Sequence, residues 1–171
     1  MEAPPTIDLK DAGKAQQAER DRPRIIAEWQ TGIRNLFNDI RGWLRQEEVS
    51  GLVTFTERDS QKTEPWMGTY TVPILTILTG RSAITVEPIR RIAPAATGRV
   101  EMKPTRGHRG PPVVMLRAVS PDGSADTWRI AVPSKPDLGQ RRPASVVPPT
   151  YQPLTKENFG DALERLIVDA R

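Results

Sequence analysis

The chain contains no cysteine and one histidine, and aromatic residues make up only 5% of it. Without cysteine there can be no disulfide bonds, and one histidine cannot supply the ligand set of an ordinary zinc site. No apolar run approaches the roughly 18 residues of a membrane span. The polar N-terminus lacks the basic and apolar segments of a signal peptide. We therefore expect a cytoplasmic protein without membrane contacts, metal or cofactor, although a cysteine-free chain also suits an oxidising compartment.

What the chain does contain predicts a compact core with extended segments around it. The 171 residues fit one domain, but the hydrophobic share is only 37% and proline is frequent, at 17 residues. Residues 1–21 have only Ile7 and Leu9 as large apolar side chains, so we expect a disordered N-terminal arm. Residues 22–171 are expected to form a single domain, which includes an extended proline-rich connection at 133–153.

The clearest periodic signal predicts an amphipathic helix over residues 22–47. Its large apolar side chains recur at intervals of three and four residues; they are Ile26, Trp29, Ile33, Leu36, Ile40 and Trp43. Asp21 fits an N-cap, and Pro23 fits the first turn, where its missing N–H costs nothing. The same spacing occurs in coiled coils, so the stripe predicts packing on the chain's own sheet, which we favour, or a homo-oligomer seam.

The middle of the chain reads as strands in sequential order. The segments are rich in β-branched residues or alternate between apolar and charged ones, and they are 52–57, 69–79, 83–87, 99–103, 113–119 and 127–132. Pro73 places the second strand at an edge or a bulge. Sequential order makes an antiparallel meander the simplest topology.

A second, short helix closes the chain. Thr155 fits its N-cap, and Leu154 and Phe159 fit a hydrophobic staple across its first turn. The predicted fold is therefore α+β: an antiparallel meander of five or six strands packed on a long N-terminal helix, with a short C-terminal helix.

Positive charge is concentrated in one segment. The whole chain has a net charge of +4, whereas residues 81–110 alone carry seven Arg or Lys against two Glu, a net charge of +5. A phosphate-binding surface is predicted from six of them, which are Arg90, Arg91, Arg99, Lys103, Arg106 and Arg109. No aromatic residue lies between residues 71 and 127, so the segment itself offers no base stacking, and a nucleic-acid contact would be made to the backbone. The alternative is a solvated basic loop.

The triplet Glu101-Met102-Lys103 resembles the second half of the PD-(D/E)xK nuclease signature, in which carboxylates hold a divalent metal and the lysine stabilises the transition state. The first half, an upstream aspartate at a strand end, is missing, and the nearest substitute is Glu87, which Pro88 follows instead of preceding. The resemblance covers three residues. It implies a divergent nuclease that uses Glu87, Glu101 and Lys103, whereas alternating charges on a solvated sheet face are the structural alternative.

Three functions are compatible with these patterns. We favour a non-enzymatic binding or accessory protein that acts through contacts with an unknown protein partner, because no catalytic constellation can be read from the sequence. The second is an accessory factor whose basic 90–109 region binds the backbone of DNA or RNA. The third is the metal-dependent nuclease. Salt dependence separates the first two, because phosphate contacts release counterions, and metal dependence tests the third.

Overall fold

The computed structural model describes residues 9–93, 96–107, 110–118, 127–132 and 150–169. Its helices are α1 (Leu9–Trp43), α2 (Arg45–Val49) and α3 (Lys156–Asp169). Its strands are β1 (Val53–Glu64), β2 (Gly68–Thr79), β3 (Ser82–Arg90), β4 (Arg99–Pro104), β5 (Val113–Ala118), β6 (Thr127–Ala131) and β7 (Gln152–Pro153). These strands form one antiparallel sheet in sequential order from β1 to β7. No helix in the described ranges is long and apolar enough to cross a bilayer.

The predicted α+β class and sequential meander are confirmed, but the strand number is wrong. The sheet has seven strands, because β7 pairs with Arg129 and Ile130 of β6 inside the segment that was expected to be only an extended connection. With only two residues, β7 is too short to show the alternation of apolar and polar side chains by which a strand is predicted. β1 also continues to Glu64 instead of ending near residue 57, since it pairs with β2 along its whole length while most of its polar side chains stay exposed.

Helix α1 begins earlier than its apolar stripe. Residues 9–21, predicted as part of a disordered arm, are helical, and Pro23 lies inside the helix instead of in its first turn. The side chains of residues 13–20 are all exposed. Because none of them is buried, this part of the sequence has no apolar periodicity from which a helix could be predicted. Good helix formers and contacts four residues apart, such as the 3.2 Å hydrogen bond from Gln17 to Asp21, support it locally. Residues 1–8 lie outside the described residues.

The apolar stripe of α1 packs on the sheet of its own chain. Trp29, Ile33 and Ile40 are fully buried against a sheet face that includes Ile84, Val86, Val100, Met102 and Met115. The preferred reading of the stripe is therefore the one observed. Ile26 and Trp43 are only partly buried, so a homo-oligomer seam along the same helix stays a prediction. Burial of this kind is the main force that holds the helix in place.

Helix α3 joins the same layer. The rings of Trp43 and Phe159 lie 5.5 Å apart, which links the end of α1 to α3. The predicted N-cap is confirmed, because Thr155 Oγ1 accepts a 3.1 Å hydrogen bond from the backbone N–H of Asn158. The two helices thus pack together into the core that lies against the sheet.

Trp29 is fully buried in this core. A Cβ on Gly98 would stand 2.2 Å from Cζ3 of the indole, so the ring lies directly against the backbone there. Trp128 stacks with the indole at 6.3 Å between centroids, and the guanidinium of Arg117, which is only 5% exposed, lies 5.9 Å from the ring centre. Gly32 leaves room for Arg117, because a Cβ on this glycine would be 3.0 Å from the guanidinium. The cation therefore packs as part of the core.

The β1–β2 hairpin extends beyond the part of β2 that has two neighbours. β3 pairs with β2 only from Leu75 to Thr79, whereas β1 continues to the turn. β2 is an inner strand of the sheet and not the edge strand that Pro73 predicted, but Pro73 lies where β2 has only one paired neighbour. The run from Val72 to Leu75 is buried on both faces, as its apolar composition predicts. Gln30 of α1 donates a 2.7 Å hydrogen bond to the carbonyl of Thr71 and ties this extension to the helix.

Candidate functional site

The residues singled out for a nuclease come together on the polar face of the sheet. Glu87 and Glu101 are directly opposite each other across β3 and β4. Lys62 Nζ lies 2.6 Å from one carboxylate oxygen of Glu87, and Lys103 Nζ lies 3.9 Å from the other. Arg99 donates two hydrogen bonds, of 2.7 and 3.0 Å, to Glu101. This row of alternating charges offsets the repulsion between the facing carboxylates. Within the described ranges no group of three or more acidic or histidine side chains could hold a metal ion.

Five of the six predicted phosphate contacts lie in the described part of the chain, and they fall in different places. Arg99 and Lys103 take part in the ion pairs of that row. Arg106 is exposed beyond the end of β4. Arg109 lies outside the described residues. Arg90 is exposed and directly opposite Arg99 across β3 and β4, after a register shift between Pro88 and Arg90, and Arg91 follows at intermediate exposure. The basic character thus separates into an ion-paired row and a strand end at residues 90–91.

That strand end meets the tip of the long hairpin. Glu64 is buried, with 9% of its surface exposed. Its carboxylate accepts hydrogen bonds from the backbone N–H groups of Arg91 at 2.6 Å and Ile92 at 3.1 Å. The Tyr70 hydroxyl donates to the same carboxylate. Burial, and then the hydrogen bond to Glu64, raise the pKa of Tyr70 well above its usual value, so the phenol remains a donor at neutral pH.

The turn at this tip displays a tryptophan on a strained backbone. Met67 N–H donates to the Glu64 carbonyl at 3.2 Å, which closes a four-residue turn over Pro65 and Trp66. Trp66 has a φ of 70°, which is a left-handed conformation. Glycine is the residue usually found at this position of such a turn. Its side chain is 80% exposed, while the neighbouring Met67 is buried. The turn therefore anchors one apolar side chain and presents the other to solvent.

No family model, curated protein or solved structure matches the chain. Its site is accordingly defined by geometry alone. We call the group of Trp66, Arg90 and Ile92, which are exposed, and Arg91, which is at intermediate exposure, the tip surface. Ile92 is 51% exposed and is held at this end by the bond from its N–H to Glu64.

Sequence reasoning missed Trp66 because it considered neighbours along the chain. The sequence has no aromatic residue from 71 to 127. The fold nevertheless brings the hairpin turn that carries Trp66 to the basic strand end, because Glu64 accepts hydrogen bonds from backbone N–H groups 27 and 28 residues away. One local signal was available. The string Pro65-Trp66-Met67-Gly68 lies between two strands and places a bulky residue where turn chemistry favours glycine or asparagine.

Proposed function

We propose that this protein is a non-enzymatic docking module that binds a partner protein through the tip surface. The observation that carries the proposal is Trp66, which is 80% exposed and held in a left-handed backbone conformation at the end of an anchored hairpin. A glycine at this position would avoid both costs. A bulky residue at a strained and exposed turn is the kind of outlier from which a functional role can be inferred.

The composition of the tip surface suits protein recognition. Trp and Arg are the residues most enriched among those that dominate interface energies, and an exposed aliphatic neighbour such as Ile92 adds apolar area around the anchor. A tryptophan brings a large contact area with only two side-chain torsions to immobilise.

The tip is also held in place before any partner arrives. Glu64 fixes it to the backbone at residues 91–92, Tyr70 supports Glu64, and Gln30 fixes β2 to helix α1. An anchored surface loses less conformational entropy on binding than a mobile loop does. The polar links therefore support docking as well as local structure.

Photo-crosslinking tests the proposal. A benzophenone amino acid is placed at position 65, where the exposed Pro65 adjoins Trp66 and the anchor stays intact, and, as a matched control, at position 52, where Leu52 is an exposed apolar residue at the opposite end of β1. In lysate of the native host we expect a discrete protein adduct from position 65 alone, which excess unlabelled wild-type protein removes and excess Trp66→Ala protein does not. Equal adducts from both positions, or none from position 65, would contradict the docking function.

A nucleic-acid function is the second candidate, and the position of Trp66 beside the basic strand end supports it. An exposed indole adjacent to arginines can stack on a base while the guanidinium groups contact phosphates. Fluorescence anisotropy with labelled single-stranded DNA and RNA at about 50 and 200 mM salt separates the two functions. Salt-sensitive binding that Trp66→Ala abolishes would favour nucleic acid, and loss of the polymer only with Mg²⁺ would favour the nuclease. The docking function predicts neither.

A further inference from the structure

We infer that the partner face which receives the tip surface is acidic, with carboxylates placed around an apolar pocket for the Trp66 indole. This inference rests on the proposed docking function and names the chemistry of its partner. It depends on three features of the tip surface: the sign of its charge, the facing arginines, and the aliphatic residue beside the tryptophan.

The exposed charge at the tip has one sign. Over residues 63–69 and 89–93 the charged side chains are Glu64, Arg90 and Arg91. Glu64 is buried, and its carboxylate is bonded to backbone N–H groups and to Tyr70. The charge exposed to a partner here is therefore that of Arg90, which is positive. Complementary potential steers encounter and selects among partners, so this end favours a negatively charged one.

Arg90 strengthens the argument through its position opposite Arg99. Two like charges directly across a strand pair destabilise a sheet, and only Arg99 has a neighbouring carboxylate, that of Glu101. No carboxylate in the described part of the chain lies within ion-pair distance of Arg90. A carboxylate from outside would relieve the repulsion and could form the paired hydrogen bonds that a guanidinium offers.

The aliphatic residue favours a protein carboxylate over a phosphate. A nucleic-acid strand can stack a base on Trp66, but its charged backbone offers less apolar surface to Ile92, which is 51% exposed at the same end, than a protein pocket does. A protein pocket rimmed by Asp and Glu covers both apolar side chains and places its charges at Arg90. Such a combination of apolar centre and charged rim is the usual organisation of a protein interface.

A phage-displayed library of random 12-residue peptides, panned on the full-length protein, tests the inference. The bound pool is counter-screened on Trp66→Ala, and Trp66→Gly serves as a second variant with an unstrained turn. Synthetic copies of the enriched peptides are then titrated against wild type, Arg90→Glu and the control Arg81→Glu, which changes an exposed arginine at the β2–β3 turn. Far-UV circular dichroism verifies that each variant is folded.

We expect peptides that require Trp66, carry net negative charge and contain a large apolar residue. Arg90→Glu should weaken their binding about tenfold at low salt, because charge reversal turns attraction into repulsion, while Arg81→Glu should leave it within about twofold. Trp66-dependent peptides without acidic enrichment, or equal effects of the two reversals, would overturn the acidic partner and leave the docking site standing. The absence of any Trp66-dependent peptide would overturn both. Tighter Trp66- and Arg90-dependent binding of a labelled 20-residue oligothymidylate would assign the surface to nucleic acid instead.

Discussion

The two halves of the β1–β2 hairpin differ in how they are attached to the domain. In the proximal half, residues 53–57 and 75–79, β2 has a paired strand on each side, and Ile77 is fully buried in the main core. In the distal half, residues 58–64 and 68–74, β2 pairs with β1 alone. Tyr70 and Val72 still reach the core, and hydrogen bonds from Gln30 and from two backbone N–H groups complete the attachment.

This difference teaches where the fold can accommodate a costly feature. A strained, exposed tryptophan inside the proximal half would disturb the packing on which the whole domain depends. At the end of the distal half, its cost is confined to one turn. A few directed hydrogen bonds fix the orientation of the turn, so the position tolerates change in the side chain that it presents.

The largest effect is expected in the proximal half. Ile77→Ala should lower the free energy of unfolding by about 2–5 kcal/mol, because it removes buried apolar contacts and leaves a cavity. Urea unfolding measures the change. Thr54→Ala, an exposed change in the same half, is the control and should stay within about 0.5 kcal/mol. A loss below about 1 kcal/mol for Ile77→Ala would mean that this half does not depend on core packing.

A smaller and more local effect is expected at the distal anchor. Glu64→Ala should cost about 1–3 kcal/mol, because it leaves the N–H groups of Arg91 and Ile92 without their acceptor. Hydrogen exchange should accelerate at these two amides while the amide of Ile77 keeps its protection. Glu57→Ala is the control, since its 2.8 Å ion pair with Arg41 is largely exposed and contributes at most about 1 kcal/mol. Equal acceleration at Ile77 would show that the two halves open together.

Substitution of Trp66 in the turn should have opposite effects on stability and on docking. Trp66→Gly should raise the free energy of unfolding by about 1 kcal/mol, because glycine adopts positive φ without strain, and it should abolish docking. Gly68→Ala is the matched control: its φ of 72° requires glycine, so alanine should lower stability. Thermal unfolding compares the pair. A destabilising Trp66→Gly would mean that the indole supports the fold and is not there mainly for a partner.

The smallest effect concerns alkaline pH. The folded pKa of Tyr70 is raised above the usual value of 10.0, so its contribution is complete below that pH and declines above it as the unfolded chain loses its phenolic proton. The difference in unfolding free energy between wild type and Tyr70→Phe should therefore shrink as the pH rises from about 10 to about 11. A difference that stays constant across this range would contradict a raised pKa.

Elements with a period in the sequence were predictable, whereas elements without one were not. The stripe of α1, the buried run of β2 and the cap of α3 follow from side chains that are buried or bonded locally. The helix before residue 22 and β1 beyond residue 57 are largely exposed and leave no such pattern. The tip surface was hidden for another reason: Glu64 joins two distant segments through backbone N–H groups, which every residue except proline carries.

The contact between Gly98 and Trp29 has a genetic consequence. Every missense change at codon 98 adds a Cβ, which the indole leaves no space to receive. The two positions can therefore diverge only together, with a smaller ring or aliphatic side chain at 29 appearing before or alongside any larger residue at 98. In relatives of this chain, that pairing offers a diagnostic by which remote members can be aligned to it.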